Sequence, residues 1–154
     1  MLPKSGLDAL KALLELAIHP GEWRSSQDLA AAQGLAAPMM EQLLLRLRRS
    51  GLIEARRGRL GGYRLARSAR EIPIAAVLAA AHSHRQGPPA PEPLGPKGPS
   101  ADDVSAASLV TQALERRLQR TMARALEQVS LEDLLFDWHS AKASQNADGG
   151  LLIG

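Results

Sequence analysis

Sixteen residues, Leu52 to Arg67 (LIEARRGRLGGYRLAR), constrain this chain most. Gly58, Gly61 and Gly62 interrupt an arginine-rich run, and glycine accepts the positive φ that tight turns require. The segment is predicted as a hairpin, with Leu52 to Arg56 pairing with Gly62 to Ala66. Directly before it stands LLLRLRRSG, whose leucine spacing belongs to an amphipathic helix. Aromatic residues make up only 3% of the chain, so leucine and alanine must fill the core. Both are strong helix formers, which predicts a mainly α fold with one small β-hairpin.

Upstream, Leu7, Leu10, Leu13, Leu14, Ala17 and Ile18 recur at helical spacing and predict a helix from Ser5 to Ile18. Ser5 and Asp8 resemble a capping box, and Pro20 and Gly21 end the segment. Ser25 and Asp28 repeat that spacing and open a second helix to about Gln33, with Gly34 as a left-handed cap. Pro38 suits the first turn of a third helix running to about Ser50. Its Met40, Leu43, Leu44 and Leu47 point inward, with Gln42, Arg46 and Arg49 nearer solvent, and Gly51 closes it. Two helices across a glycine turn, the second basic, make a helix–turn–helix. A basic hairpin behind it is the layout of a winged-helix nucleic-acid reader. Ile72 to Ala81, opening at Pro73, is a further helix.

The formal charge of +3 decides little, but its distribution decides more. Nine arginines lie between Arg46 and Arg70 against one acid, Glu54. From Ala101 onward there are eight acids and five bases. The positive potential is local, as a phosphate-facing surface requires, and a solvated arginine-rich face is the plain alternative.

Arg85 to Asp103 holds six of the ten prolines and no apolar periodicity, the composition of an exposed linker. Val104 to Val129 then predicts one long helix with Ala107, Val110, Leu114, Leu118, Met122, Ala125 and Val129 along one side. Ser130 and Asp133 cap a short final helix, SLEDLLFDW. The expected organisation is a winged helix–turn–helix domain over 1–84, a linker over 85–103, dimerisation helices over 104–141 and a flexible tail over 142–154. An amphipathic helix of that length must bury its stripe, either on its own domain or against a second copy. Two-fold proteins read palindromic DNA, which favours the second copy.

The chain contains no cysteine, which excludes disulfides, thiolate metal sites and cysteine nucleophiles and fits a reducing cytoplasm. No apolar run nears the roughly 20 residues that span a bilayer, and the N-terminus lacks a signal-peptide pattern, so no membrane partner is expected.

The run EQLLLRLRRSGLIEARRGRLGGYRLAR resembles the signature of the Rrf family of bacterial winged-helix regulators. The similarity covers Met1 to about His82 and, more loosely, the long C-terminal helix. It implies a dimeric repressor or dual regulator, with a recognition helix in the major groove and a wing in the minor groove; the leading expectation is a cytoplasmic, homodimeric transcription regulator, a repressor before an activator. By position, Pro38, Met39, Glu41 and Gln42 stand at the base-facing start of that helix. Arg48 stands at a backbone contact, and Arg57 and Arg59 on the wing. Gln reads adenine, Glu accepts from cytosine N4, and arginine suits phosphate or a narrow minor groove. Lys4 and Ser5 would hold a phosphate at the first helix. Val110, Leu114, Leu118, Met122 and Val129 would form the dimer seam.

Two departures qualify the resemblance. Ala36 to Met39 lacks the polar and aromatic residues common there, so the operator cannot be borrowed. Cluster-binding members place three cysteines after the fourth helix, where this chain has HSHRQGPPAPEPLGPKGPS; no iron–sulfur cofactor is expected. A cysteine-free relative senses metabolism by binding an enzyme, so a protein-interaction regulator with a partner enzyme is the second reading.

Weaker signals have plainer explanations. His82 and His84, with Asp102 or Asp103, have metal-ligand chemistry, but polar helix-end residues account for them as well. Asp137, His139 and Ser140 superficially match a hydrolytic triad, yet neighbours on one helix do not converge on a centre, so no enzyme is expected. Phe136 and Trp138 read as packing residues, Tyr63 as an anchor for the wing, and Trp23 as a cover over the core.

Overall fold

The computed structural model describes residues 2–82 and 105–149. Helix α1 (Lys4–Ile18) leads into α2 (Ser26–Gln33) and α3 (Ala37–Arg49). Strands β1 (Ile53–Arg56) and β2 (Gly62–Leu65) form the hairpin. A 3-10 turn (Ala69–Glu71), α4 (Ile74–His82), α5 (Ala106–Glu127) and α6 (Leu131–Gly149) complete the order. The fold is mainly α with a two-stranded antiparallel sheet, a winged helix–turn–helix followed by a long helix. No helix among the described residues is long and apolar enough to cross a membrane.

The helix ends follow from local chemistry. Ser25 and Asp28 form the expected capping box: the Asp28 N–H donates to the Ser25 hydroxyl at 3.0 Å and the carboxylate accepts from the Ser25 N–H. Gly34 takes φ 63° at the end of α2. At the end of α3, Leu52 N–H reaches the Leu47 carbonyl at 3.1 Å across Gly51, whose φ is 72°. Buried Leu52 packs there beside buried Leu47, the hydrophobic contact that accompanies such a cap.

One expected cap is absent. The N-cap of α1 is Pro3, with no side-chain cap bond, so Ser5 and Asp8 lie inside the first turns. Conversely, Ser68 and Glu71 make an unexpected capping box over the 3-10 turn. Helix α4 starts at Ile74 because Pro73 bridges Ser130 in extended pairing. Helix α6 does not stop near Trp138 but runs to Gly149, since no glycine or proline interrupts it and alanine recurs along it.

The core joins α1, α2, α3 and α4 through Leu13, Leu29, Met40, Leu44, Leu47 and Val77. Leu131, the first residue of α6, is 0% exposed in that same core. Its N–H donates to the Ile72 carbonyl at 2.8 Å, and the Ile74 N–H donates to the Val129 carbonyl at 2.8 Å. The junction between α5 and α6 is thus stitched to the winged-helix body, and α6 packs on α1. Phe136, by contrast, is 71% exposed, and Trp138 is half-buried with Lys142 Nζ 4.8 Å above its ring.

The caps also carry a pH dependence. Hydrogen bonds from Ser25, aided by the Arg24 charge, hold the Asp28 carboxyl below its ordinary 3.8, and the Ser130 N–H and hydroxyl do the same to Asp133. A depressed folded value stabilises the native state above the unfolded value and loses that contribution as pH falls through the folded one. Replacing Ser25 and Ser130 with Ala together is expected to lower stability at neutral pH and to flatten the acid limb below about pH 4, read by urea melts across pH.

Candidate nucleic-acid interface

The inner face of α3 determines what its outer face presents. Met40, Leu43, Leu44 and Leu47 are buried, so Pro38, Met39, Glu41, Gln42, Leu45, Arg48 and Arg49 project into solvent. Leu45, exposed in the middle of this face, was missed by sequence reasoning. Its signal was its spacing, three and four residues beyond Gln42 and Glu41. An apolar side chain there suits a thymine methyl. Arg46 is not a solvent residue as expected: its Nη1 donates to the Ala81 carbonyl at 3.2 Å, tying α3 to the end of α4.

The N-termini of α1 and α3 border one groove of about 460 Å³, whose lining includes Lys4, Ser5, Asp8, Pro38, Met39 and Gln42. Five of the expected contact residues therefore share one surface. The N–H groups that precede Leu7 in α1 have no acceptor one turn back, because Leu7 makes the first helical bond, to Pro3 at 3.1 Å. Lys4 adds a charge beside them. Asp8 is an acid on the same wall, which the sequence reading had placed in a cap instead.

The wing is built by alternation. In the register Ile53↔Leu65, Glu54↔Arg64, Ala55↔Tyr63, Arg56↔Gly62, one face turns Ile53, Tyr63 and Leu65 toward the core. The opposite face carries Glu54, Arg56 and Arg64. Arg64 pairs with Glu54, and the Arg56 Nη2 donates to the Leu60 carbonyl at 2.6 Å. Both guanidinium groups lie over the ring of Trp23, at 4.5 Å for Arg56 and 4.4 Å for Arg64. Tyr63 anchors the hairpin through its backbone, exchanging hydrogen bonds of 2.7 and 2.9 Å with Arg24 as a third strand would.

Glycine is required at the base of the tip. A Cβ on Gly61 would lie 2.1 Å from the Arg56 carbonyl oxygen. Gly62 has φ +145°, and a Cβ there would lie 2.5 Å from the Arg24 carbonyl oxygen. Of the wing arginines, Arg56 and Arg64 are spent on intrachain contacts. Arg57 and Arg59 are exposed at the tip with no ion pair or side-chain hydrogen bond among the described residues, and Leu60 between them and Gly61 is 81% exposed.

Helix α5 presents a second surface. It has no buried residue, and Val110, Leu114, Leu118 and Met122 are 67%, 54%, 61% and 44% exposed in a row four residues apart. Val129, expected on the same stripe, lies beyond the helix end and packs half-buried on the core of its own chain. Among the candidate metal ligands, the His82 Nδ1–H donates to the Leu78 carbonyl at 2.5 Å, while His84, Asp102 and Asp103 lie outside the described residues. Asp137, His139 and Ser140 follow one another along α6, and the Ser140 hydroxyl donates to the Phe136 carbonyl at 3.0 Å instead of meeting the histidine.

Residues 2–137 match the Rrf2 family, described as iron-dependent transcriptional regulator. The HTH-type transcriptional regulator slr0846 of Synechocystis sp. is 36% identical over 139 residues, covering 89% of this chain and 88% of that protein. The HTH-type transcriptional regulator IscR of Photorhabdus laumondii is 33% identical over 135 residues, covering 87% and 78%. Among solved structures, T. potens IscR superposes with a TM-score of 0.68 at 27% identity, over 92% of this chain and 90% of that one. Staphylococcus aureus CymR does so with 0.64 at 25%, over 86% and 96%. The iron in the family's description does not carry over through sulfur: with no cysteine anywhere in the sequence, this chain has no thiolate to hold an iron–sulfur cluster. Among the described residues no three His, Asp or Glu side chains are grouped as metal ligands either. By sequence along nearly its whole length, and by a winged helix–turn–helix with an open recognition face, the chain belongs to the Rrf2 family of DNA-binding transcription regulators.

Proposed function

We propose that the protein is a homodimeric repressor that reads a two-fold-symmetric operator in duplex DNA. The observation that carries this reading is the division of α3 into a buried face and a solvent face free for the major groove, with the arginine-tipped wing following it in the chain. Gln42 and Glu41 supply paired donor and acceptor chemistry for base edges, and Leu45 and Met39 supply apolar contact. Lys4 and the first N–H groups of α1 suit a backbone phosphate, and Arg48 suits another. Arg57 and Arg59, exposed at the wing tip, suit the minor groove or its phosphates. The open stripe of α5 favours a second copy, because a 22-residue helix exposing such a row gains little by itself. Repression then follows from occupancy of a promoter.

Arg57→Ala tests the wing. The residue is exposed and has no partner among the described residues, so the fold is expected to persist while DNA affinity falls. Removing one phosphate contact reduces the slope of log affinity against log salt by about 1. A gel-shift titration over several salt concentrations reads both. Unchanged affinity and slope would remove Arg57 from the interface.

A further inference from the structure

We infer that Trp23, in the connection between α1 and α2, is the positioning residue for the DNA-contacting tip of the wing. The inference rests on the DNA-reading function proposed above and deepens it. A chain of contacts leads from the Trp23 ring to the tip of the wing. The Arg56 guanidinium lies 4.5 Å from the ring centre, and the same guanidinium donates to the Leu60 carbonyl at 2.6 Å. Leu60 belongs to the four-residue turn Gly58 to Gly61, which displays Arg59 and follows directly on Arg57, and which is closed by the Gly61 N–H on the Gly58 carbonyl at 3.0 Å.

Electrostatics explains why an aromatic ring is suited to that position. The register puts Arg56 and Arg64 on one face of a narrow ribbon, where two like charges repel. Glu54 neutralises Arg64. The π face of Trp23 attracts both guanidinium groups at once, and the indole is the best of the aromatic rings for that contact. With the ring in place, Arg56 is held over it and aimed back at the turn. Without it, Arg56 is free to swing into solvent, the Leu60 carbonyl loses its donor, and the tip arginines sample many orientations. The ring itself is fixed by its neighbour Arg24, whose backbone pairs with Tyr63 and whose Nη2 donates to Glu15 at 3.2 Å. The close approach of Gly62 to the Arg24 backbone is the same docking seen from the wing.

The test uses the full chain and the duplex that the unaltered protein best enriches from a random pool. Trp23→Ala is expected to weaken binding about tenfold. Trp23→Phe, which keeps a π face, restores most of that loss. Trp23→Leu, which keeps apolar bulk without a π face, does not, and it substitutes for the alanine variant should that one fail to fold. Combined with Arg57→Ala, Trp23→Leu is expected to cost little more than Arg57→Ala alone, because both remove the same tip contact. Equal binding by the Leu and Phe variants would overturn the inference, and so would full additivity with Arg57→Ala. Failure of the unaltered protein to bind any duplex would overturn the DNA-reading function and this inference with it, whereas normal binding by Trp23→Leu beside weakened Arg57→Ala would overturn the inference alone.

Discussion

Leu114→Glu combined with Leu118→Glu is expected to leave a folded chain that has lost its operator. Neither side chain contributes to the core, so the helical circular dichroism of the winged-helix body should persist. Four glutamates facing one another across a two-fold seam repel and demand hydration, which a dry interface cannot supply. Sedimentation should then find the 16.4 kDa monomer in place of a species of twice that mass. The loss of DNA affinity should exceed that of any single contact variant. A dimer that has docked one half-site holds the second at high effective concentration, and losing this linkage lowers affinity about 100-fold or more. A variant that stays dimeric, or a monomer that binds as tightly as the unaltered protein, would remove the α5 stripe from the account.

The second large effect concerns stability. Leu131→Ala should destabilise the fold by about 2–5 kcal/mol, the range for deleting a fully buried leucine side chain. The cost is expected near the upper end because Leu131 is 0% exposed and is flanked by the backbone bonds joining Ile72 and Ile74 to the α5–α6 junction. Loosening this residue frees α6 from α1 and so unmoors the base of α5. Phe136→Ala, five residues along the same helix, is the control. Its ring is 71% exposed in the chain, and solvent-facing substitutions of that kind fall within about 0.5 kcal/mol. Urea melts of the two variants side by side measure the difference, and equal costs would mean that Leu131 is not the anchor described.

How much of this was readable from the sequence depended on how local the governing physics is. The Ser25–Asp28 cap, the left-handed Gly34 and Gly51, and the inward stripe of α3 each follow from residues within one or two helical turns of each other, and each is present in the fold. The hairpin was equally legible, within a residue at either end, because three glycines in five positions leave few alternatives. The Ser5–Asp8 spacing misled for the same local reason. With Pro3 as N-cap the helix starts two residues earlier than a Ser5 cap would place it, so the pair falls inside it.

What the sequence concealed was long-range. Nothing in SLEDLLFDW says that its first leucine enters the core while its phenylalanine stays outside; only the pairing of Ser130 with Pro73, 57 positions apart, decides that. Arg56, Arg57, Arg59 and Arg64 look alike in one dimension. The fold divides them, placing Arg56 and Arg64 over Trp23 and leaving Arg57 and Arg59 without an ion pair or side-chain hydrogen bond among the described residues. Leu45 escaped notice because a leucine in a leucine-rich helix is ordinarily assigned to the core, and its exposure follows only from which face α4 and the hairpin cover. Most of the exposed face of α3 was thus legible by position, and the division of labour among the wing arginines was not.

Two copies of this chain are proposed to read duplex DNA together through α3 and the wing. Selection of bound duplexes from a random pool, followed by sequencing, tests it most directly. A dimeric reader enriches one motif with two-fold symmetry, its half-sites about one helical turn or a multiple of one apart. An enriched motif without two-fold symmetry, or recovery of a pool no different from the input, would contradict it.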